Sequence, residues 1–171
     1  CHPSLLLAEA KAHGLDLPAL SLLVEDRPAV FEQVKAATGC NDKQAKLLAI
    51  IKMYGGGLTT WRETFEPHIP EFDSSALPWF ASFSRELKEV TAILKEKNAT
   101  IWQKTRDQVN RQNKRNNTTK DPGATLLANY AQCIERRVID CVFSQLTEDI
   151  REHTVYCYDG MMFPKRFKIT P

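Results

Sequence analysis

The chain has 171 residues, 43% hydrophobic and 26% charged, with a formal net charge of +2. That length can bury about two-thirds of the unfolded surface around one core, and the composition is that of a globular protein, so a wholly disordered chain is excluded. Near-neutral charge means that affinity for nucleic acid must come from local patches, and no apolar run approaches the roughly 20 residues of a membrane span, so the expected location is intracellular with no membrane partner.

Five cysteines form an odd set without a C-x2-C pair. They predict reduced, partly buried thiols rather than a disulfide framework or a zinc site. The chain starts at Cys1 without Met and enters a structured-looking segment at once, as expected of a fragment of a longer polypeptide.

Pro3 suits the first turn of a helix running to about His13, with Leu5, Leu6 and Leu7 at its start and Gly14 after it. A short helix is expected within Leu17–Val24, after Pro18. Asp26 can cap a third, with Pro28 in its first turn, Val30, Phe31 and Val34 as its buried stripe, and Gly39 as its end. The stretch NDKQAKLLAIIKMYGGG, Asn41 to Gly57, then has an N-cap in Asn41, an acid in the first turn in Asp42, and a left-handed terminator in Gly55. At about 100° per residue, Lys43, Lys46, Ile50 and Tyr54 fall in one sector of roughly 80°. Lys46 and Tyr54 are roughly 12 Å apart along the axis, about the reach from a triphosphate tail to a base. An ordinary amphipathic helix with two solvated lysines fits the same pattern.

Leu58 to Pro78 predicts a short helix carrying Trp61 and Phe65, then a loop set by Pro67, Pro70 and Pro78. From Trp79 a long helix is expected through Phe83, Leu87, Val90, Ile93 and Leu94, continuing past Trp102 to about Arg111. Residues 104–120 carry six Lys or Arg (Lys104, Arg106, Arg111, Lys114, Arg115, Lys120) against one Asp. Two readings stand for them: a solvated, mobile segment, or an arm that contacts phosphates. Gly123 restarts order, and Leu126–Leu146 reads as a helix with Leu127, Tyr130, Ile134, Val138, Cys141, Val142 and Leu146 inward. Thr154–Tyr158 is rich in β-branched and aromatic residues, Asp159-Gly160 is a hairpin turn dipeptide, and Met161–Phe163 can return as a second strand. The fold class is therefore α+β, many helices beside a small antiparallel sheet.

Lys46, LLAIIKM, Tyr54, Gly55 resembles motif B, Lys-x7-Tyr-Gly, of the fingers in family A DNA polymerases and the related phage-type single-subunit RNA polymerases. Val155-Tyr-Cys-Tyr158-Asp159 resembles motif C, an apolar strand ending on a metal-binding Asp, with Tyr158 at the usual His position and Gly160 replacing a common acid. Cys1-His2-Pro3 looks like the end of motif A in divergent viral or mobile-element members, whose Asp would precede Cys1. The helix with Asn129 and Gln132 is similar to the segment before motif C, although the family spacing is four residues rather than three. These pieces occur in the family's order along almost the whole chain.

The resemblance implies a polymerase palm and fingers fragment: a motif A remnant and fingers-like helices over 1–57, a helical insertion with the basic arm over 58–123, and a palm helix with the motif C hairpin over 124–171. It implies a template-directed nucleotidyltransferase, a DNA-dependent DNA polymerase core. Asp159 would be the catalytic metal ligand and Lys46 the residue on the β and γ phosphates. His2, Lys43, Ile50, Tyr54 and Gly55 would complete the nucleotide site, with Asn129, Gln132 and the basic residues of 104–120 on the primer-template. The cofactor implied is Mg²⁺, two ions, the second carboxylate lying upstream of residue 1. The implied partners are DNA primer-template, deoxynucleoside triphosphates, and other domains of the same polypeptide or replication proteins. A non-catalytic nucleic-acid-binding or replication-complex module, and a single-subunit RNA polymerase, are the alternatives.

Overall fold

Proline, aspartate and glycine punctuate the first hundred residues, and the helices begin and end on them. The computed structural model describes residues 2–66, 68–157 and 160–166, and the chain divides into two compact units, Cys1–Tyr130 and Ala131–Pro171. Helices α1 (His2–Ala12), α2 (Pro18–Glu25), α3 (Arg27–Thr38) and α4 (Asp42–Met53) lie in the first unit. Each packs on the next in sequence. Asp26 caps α3 by accepting from the Ala29 amide at 3.1 Å, and Gly39 ends that helix at φ 67°. Val30 and Val34 are its buried positions, while Phe31 is half-buried.

α5 (Leu58–Glu63) folds back on α4, and Trp61 fixes it there: its ring is fully buried and its Nε1 donates to the Gln44 carbonyl at 2.8 Å. A short 3-10 turn, Ser74–Ala76, leads into α6 (Pro78–Lys97), which packs on α2 and buries Trp79, Phe83, Leu87 and Val90. One acid interrupts this apolar stripe. Glu86 is 2% exposed, and its two oxygens accept from the Ala19 and Leu20 amides at 2.9 and 2.8 Å. α2 has no side-chain cap of its own, so a residue on α6 caps it across the core.

The long helix expected from Trp79 to about Arg111 is two helices. α6 ends at Lys97 and α7 spans Ala99–Asn116. Asn98 serves both: its amide donates to the Leu94 carbonyl while its own carbonyl accepts from Trp102, each at 2.9 Å. The residues from 104 to 116 are thus regular helix, with Thr105 and Val109 buried. Beyond it, Asn117 turns left-handed at φ 50°. The Asn113 side chain clasps the loop, Nδ2 donating to the Lys120 carbonyl and Oδ1 accepting from Thr118 Oγ1 and the Lys120 amide.

α8 (Pro122–Gln145) begins ahead of the expected Leu126 because Pro122 suits a first helical position and Asp121 Oδ1 accepts from the Gly123 amide at 2.8 Å. Leu126, Leu127 and Tyr130 are buried in the first unit.

The second unit holds the rest of α8, a short α9 (Glu148–Glu152) that the sequence reading did not anticipate, and the strands β1 (Val155–Cys157) and β2 (Gly160–Met162). The strands pair antiparallel, Val155 with Met162, Tyr156 with Met161 and Cys157 with Gly160. Gly160 therefore belongs to the second strand, one residue earlier than expected. Tyr156 packs on α8, its ring 5.0 Å from Phe143 and 4.4 Å from the Arg136 guanidinium carbon. Arg136 also pairs with Asp140 at 3.0 Å. Because strand and helix meet on the 136, 140 and 143 side, the opposite side stays in water. Val138 is 53% and Val142 46% exposed and Cys141 is exposed, contrary to the expectation that they face inward. Ile139 is the buried residue of that turn. Among the described residues the fold is mainly helical with one small two-stranded sheet.

Candidate functional site

α4 is closed at both ends by its own sequence. Asn41 and Gln44 form a reciprocal capping box, each side chain taking the other's backbone amide at 3.0 and 2.8 Å. At the far end the Gly56 amide reaches the Ile51 carbonyl at 2.8 Å and the Gly55 amide the Lys52 carbonyl at 3.0 Å, a Schellman closure with Gly55 at φ 88°. A β-carbon on Gly55 would stand 2.5 Å from Ala124 Cβ. Gly55, expected in the nucleotide site, thus has a structural reason to be glycine.

Between these ends α4 is divided cleanly. Ala45, Leu48, Ala49 and Met53 are buried; Lys43, Lys46, Ile50 and Tyr54 are exposed on the other side. Ile50 is 38% and Tyr54 51% exposed, which leaves an aliphatic and an aromatic surface in water beyond two ammonium groups. Neither Lys43 nor Lys46 joins an ion pair among the described residues. Asp42 does not neutralise them either, since it is bound to Lys35 at 2.7 Å; Asp42 and Glu32 together hold the Lys35 ammonium above the ordinary lysine range.

A second surface in the same unit is α7. At about 100° per residue, Lys104, Gln108, Arg111 and Arg115 share a sector of roughly 60° away from buried Thr105 and Val109. With a rise of about 1.5 Å per residue they form a ridge roughly 16 Å long. Lys104, Arg111, Lys114, Arg115 and Lys120 are exposed and outside any ion pair among the described residues. Arg106 is engaged on its own helix, donating to Gln103 Oε1 at 2.7 Å with Asp107 at 4.0 Å.

Asn129 has an internal partner: half-buried, it donates from Nδ2 to Oγ1 of buried Thr105 at 3.0 Å, tying α8 to α7. Gln132 belongs to the second unit and is exposed. His2 opens α1, but its side chain lies outside the described structure, as do Tyr158 and Asp159. Among the described residues no three His, Cys, Asp or Glu side chains converge as a metal site, and Asp140 is committed to Arg136 and Tyr156. Cys40, Cys133, Cys141 and Cys157 are free thiols; Cys40 is buried and Cys133 and Cys141 are exposed. No described helix is long and apolar enough to cross a membrane.

No family model matches the chain, and neither a curated protein nor a solved structure matches it.

The sequence reading passed over three lysines. Lys52, Lys88 and Lys95 line a pocket together with Asp121 and Gly123. The only local hint is that Lys88 and Lys95 are seven apart, hence on one face of α6.

Proposed function

We propose that the chain is the nucleotide-selecting part of a template-directed nucleotidyltransferase, a DNA polymerase of the family A type. The observation that supports this most is the division of α4. A capped, rigid helix leaves the Lys43, Lys46, Ile50 and Tyr54 stripe in solvent, when burying Ile50 and Tyr54 would ordinarily stabilise a fold. Lys46 and Lys43 would hold the β and γ phosphates, and Tyr54 would lie against the base. In the reaction the 3′-hydroxyl of the primer would give its proton to water as its oxygen bonds to the α-phosphorus, the bond to pyrophosphate would break, and Lys46 would donate a proton to the departing pyrophosphate and regain one from solvent. Mg²⁺, when bound, would neutralise phosphate charge and lower the pKa of the 3′-hydroxyl, with Asp159 as the chain's own ligand. The α7 ridge would follow the backbone of the primer-template.

That ridge also favours a second reading, a non-catalytic module that binds single-stranded nucleic acid. Primer extension separates the two. The polymerase reading predicts nucleotide incorporation that is lost in Lys46→Ala and in Asp159→Ala, each with an unchanged melting temperature. Oligonucleotide binding that persists in both variants, with no extension by the unaltered protein, would establish the module instead. Supplying ribo- or deoxyribonucleotides distinguishes an RNA from a DNA polymerase.

A further inference from the structure

The last turn of α4, the middle of α6 and the first turn of α8 line an open pocket of about 280 Å³. All of its walls lie in the first unit. Lys52 lines it from the side of α4 opposite the Lys46 stripe, being roughly 180° from Lys43 around the axis. Lys88 and Lys95 line it from α6, and Asp121 supplies the one carboxylate of the lining.

The charges there are not balanced within the protein. Asp121 turns Oδ1 to the Gly123 amide at 2.8 Å to cap α8, and none of the three lysines forms an ion pair among the described residues. Two of them rest on aromatic rings instead, Lys52 Nζ 5.7 Å from the centre of Phe80 and Lys95 Nζ 4.6 Å from the centre of Trp102. Neither ring lines the pocket, and neither neutralises the ammonium group that rests on it. Lys52 is half-buried, and burial first and the Lys88 charge second lower its pKa below the ordinary lysine value. Like charges gathered around a concavity raise the energy of the empty protein, and an anion in the pocket removes that cost.

We propose that this pocket binds a phosphate monoester, with Lys52, Lys88 and Lys95 as its cationic contacts. Three lysines against Asp121 leave an excess of two positive charges, which matches the charge of about −1.5 to −2 on a monoester at pH 7. The space is close to the roughly 300 Å³ at which pockets for small organic ligands begin, well above the roughly 30 Å³ of one water. It therefore takes the group to which the phosphate is attached as well as the phosphate itself. That group is either a free sugar phosphate or the phosphorylated end of a nucleic-acid strand.

Backbone amide NMR of the full chain tests this with three probes: ribose 5-phosphate, a short single-stranded oligonucleotide bearing a 5′-phosphate, and the same oligonucleotide ending in a 5′-hydroxyl. The site predicts saturable shifts at Lys52, Gly55, Gly123 and Ala124 with one or both phosphorylated probes. The Lys52→Gln/Lys88→Gln double variant should lose at least tenfold in affinity, and the same spectra report whether it is folded. Lys46→Ala should leave this binding unchanged, so failure of the polymerase reading and failure of this site give different patterns. Affinity should fall as pH drops below about 6, where the monoester takes up a proton. Response to ribose 5-phosphate assigns a free ligand; response to the 5′-phosphorylated strand alone assigns a strand end. No shift at these amides with either phosphorylated probe, equal shifts with the 5′-hydroxyl strand, or an unchanged affinity in a folded double variant overturns the proposal.

Discussion

Replacing Glu86 by Ala removes the cap that α6 supplies to α2. Pro18 has no amide hydrogen, so the first donors of α2 are the Ala19 and Leu20 amides, and both point at the Glu86 carboxylate. Hydrogen bonds to a charged group contribute about 1.5–3 kcal/mol each, and orphaned buried amides cost about 1–3 kcal/mol each. These are two accounts of the same loss, and together they bound it at about 3–6 kcal/mol. Against a total of about 5–15 kcal/mol for a domain, this is a large fraction. It corresponds to a fall of roughly 10–20 °C in Tm for a unit of this size. The chain's three tryptophans, Trp61, Trp79 and Trp102, all lie in the first unit, so tryptophan fluorescence in urea reports the unit that contains the cap. Trp79 is especially close, its Nε1 donating to the Ala19 carbonyl at 3.0 Å. A loss below about 1 kcal/mol would mean that the α2 amides find other partners, and would refute the reasoning.

Three further outcomes follow from neighbouring contacts. Gly55→Ala forces a left-handed alanine into 2.5 Å contact with Ala124 Cβ; backbone strain and overpacking together predict a loss of about 2–4 kcal/mol in urea unfolding. A double-mutant cycle on Thr105→Val and Asn129→Ala should give a coupling energy of about 1 kcal/mol, and a value near zero would release Asn129 from a packing role. For Lys52 the folded pKa lies below the ordinary 10.5, so between those two values the unfolded state holds more protons and stability rises with pH. Lys52→Met should abolish that rise, stabilising the protein at pH 7 relative to the unaltered chain by more than it does near pH 10; a pH-independent difference contradicts it.

How far the sequence reveals this protein depends on what marks each element. α3 and α4 are bounded by Asp26, Gly39, Asn41 and Gly55, residues whose caps and φ values are local properties, and those limits are readable residue by residue. The break at Asn98 is not, because Leu94, Ile101 and Trp102 continue an apolar pattern and no Gly or Pro marks the turn. Residues 104–116 look unstructured by polarity alone. Lys, Arg and Gln are nevertheless good helix formers, and Thr105 and Val109 supply the few buried contacts needed. In α8 the periodicity of Val138, Cys141 and Val142 identifies an apolar face, but only the packed structure reveals that the hairpin covers the other side. Glu86 left a signal, an acid in the middle of the Phe83, Leu87 and Val90 stripe. The α4 stripe was legible as a pattern of residues, while the lysine pocket was not, since Lys52, Lys88, Lys95 and Asp121 come together only through the packing of α4, α6 and α8.

The proposed function depends most on α4 as a nucleotide-binding face. Titrating the protein with dATP while following backbone amides tests it directly. Shifts along Lys43, Lys46, Ile50 and Tyr54 that saturate and disappear in a folded Lys46→Ala variant are the predicted result. Shifts that avoid α4, or that persist unchanged in Lys46→Ala, would contradict it.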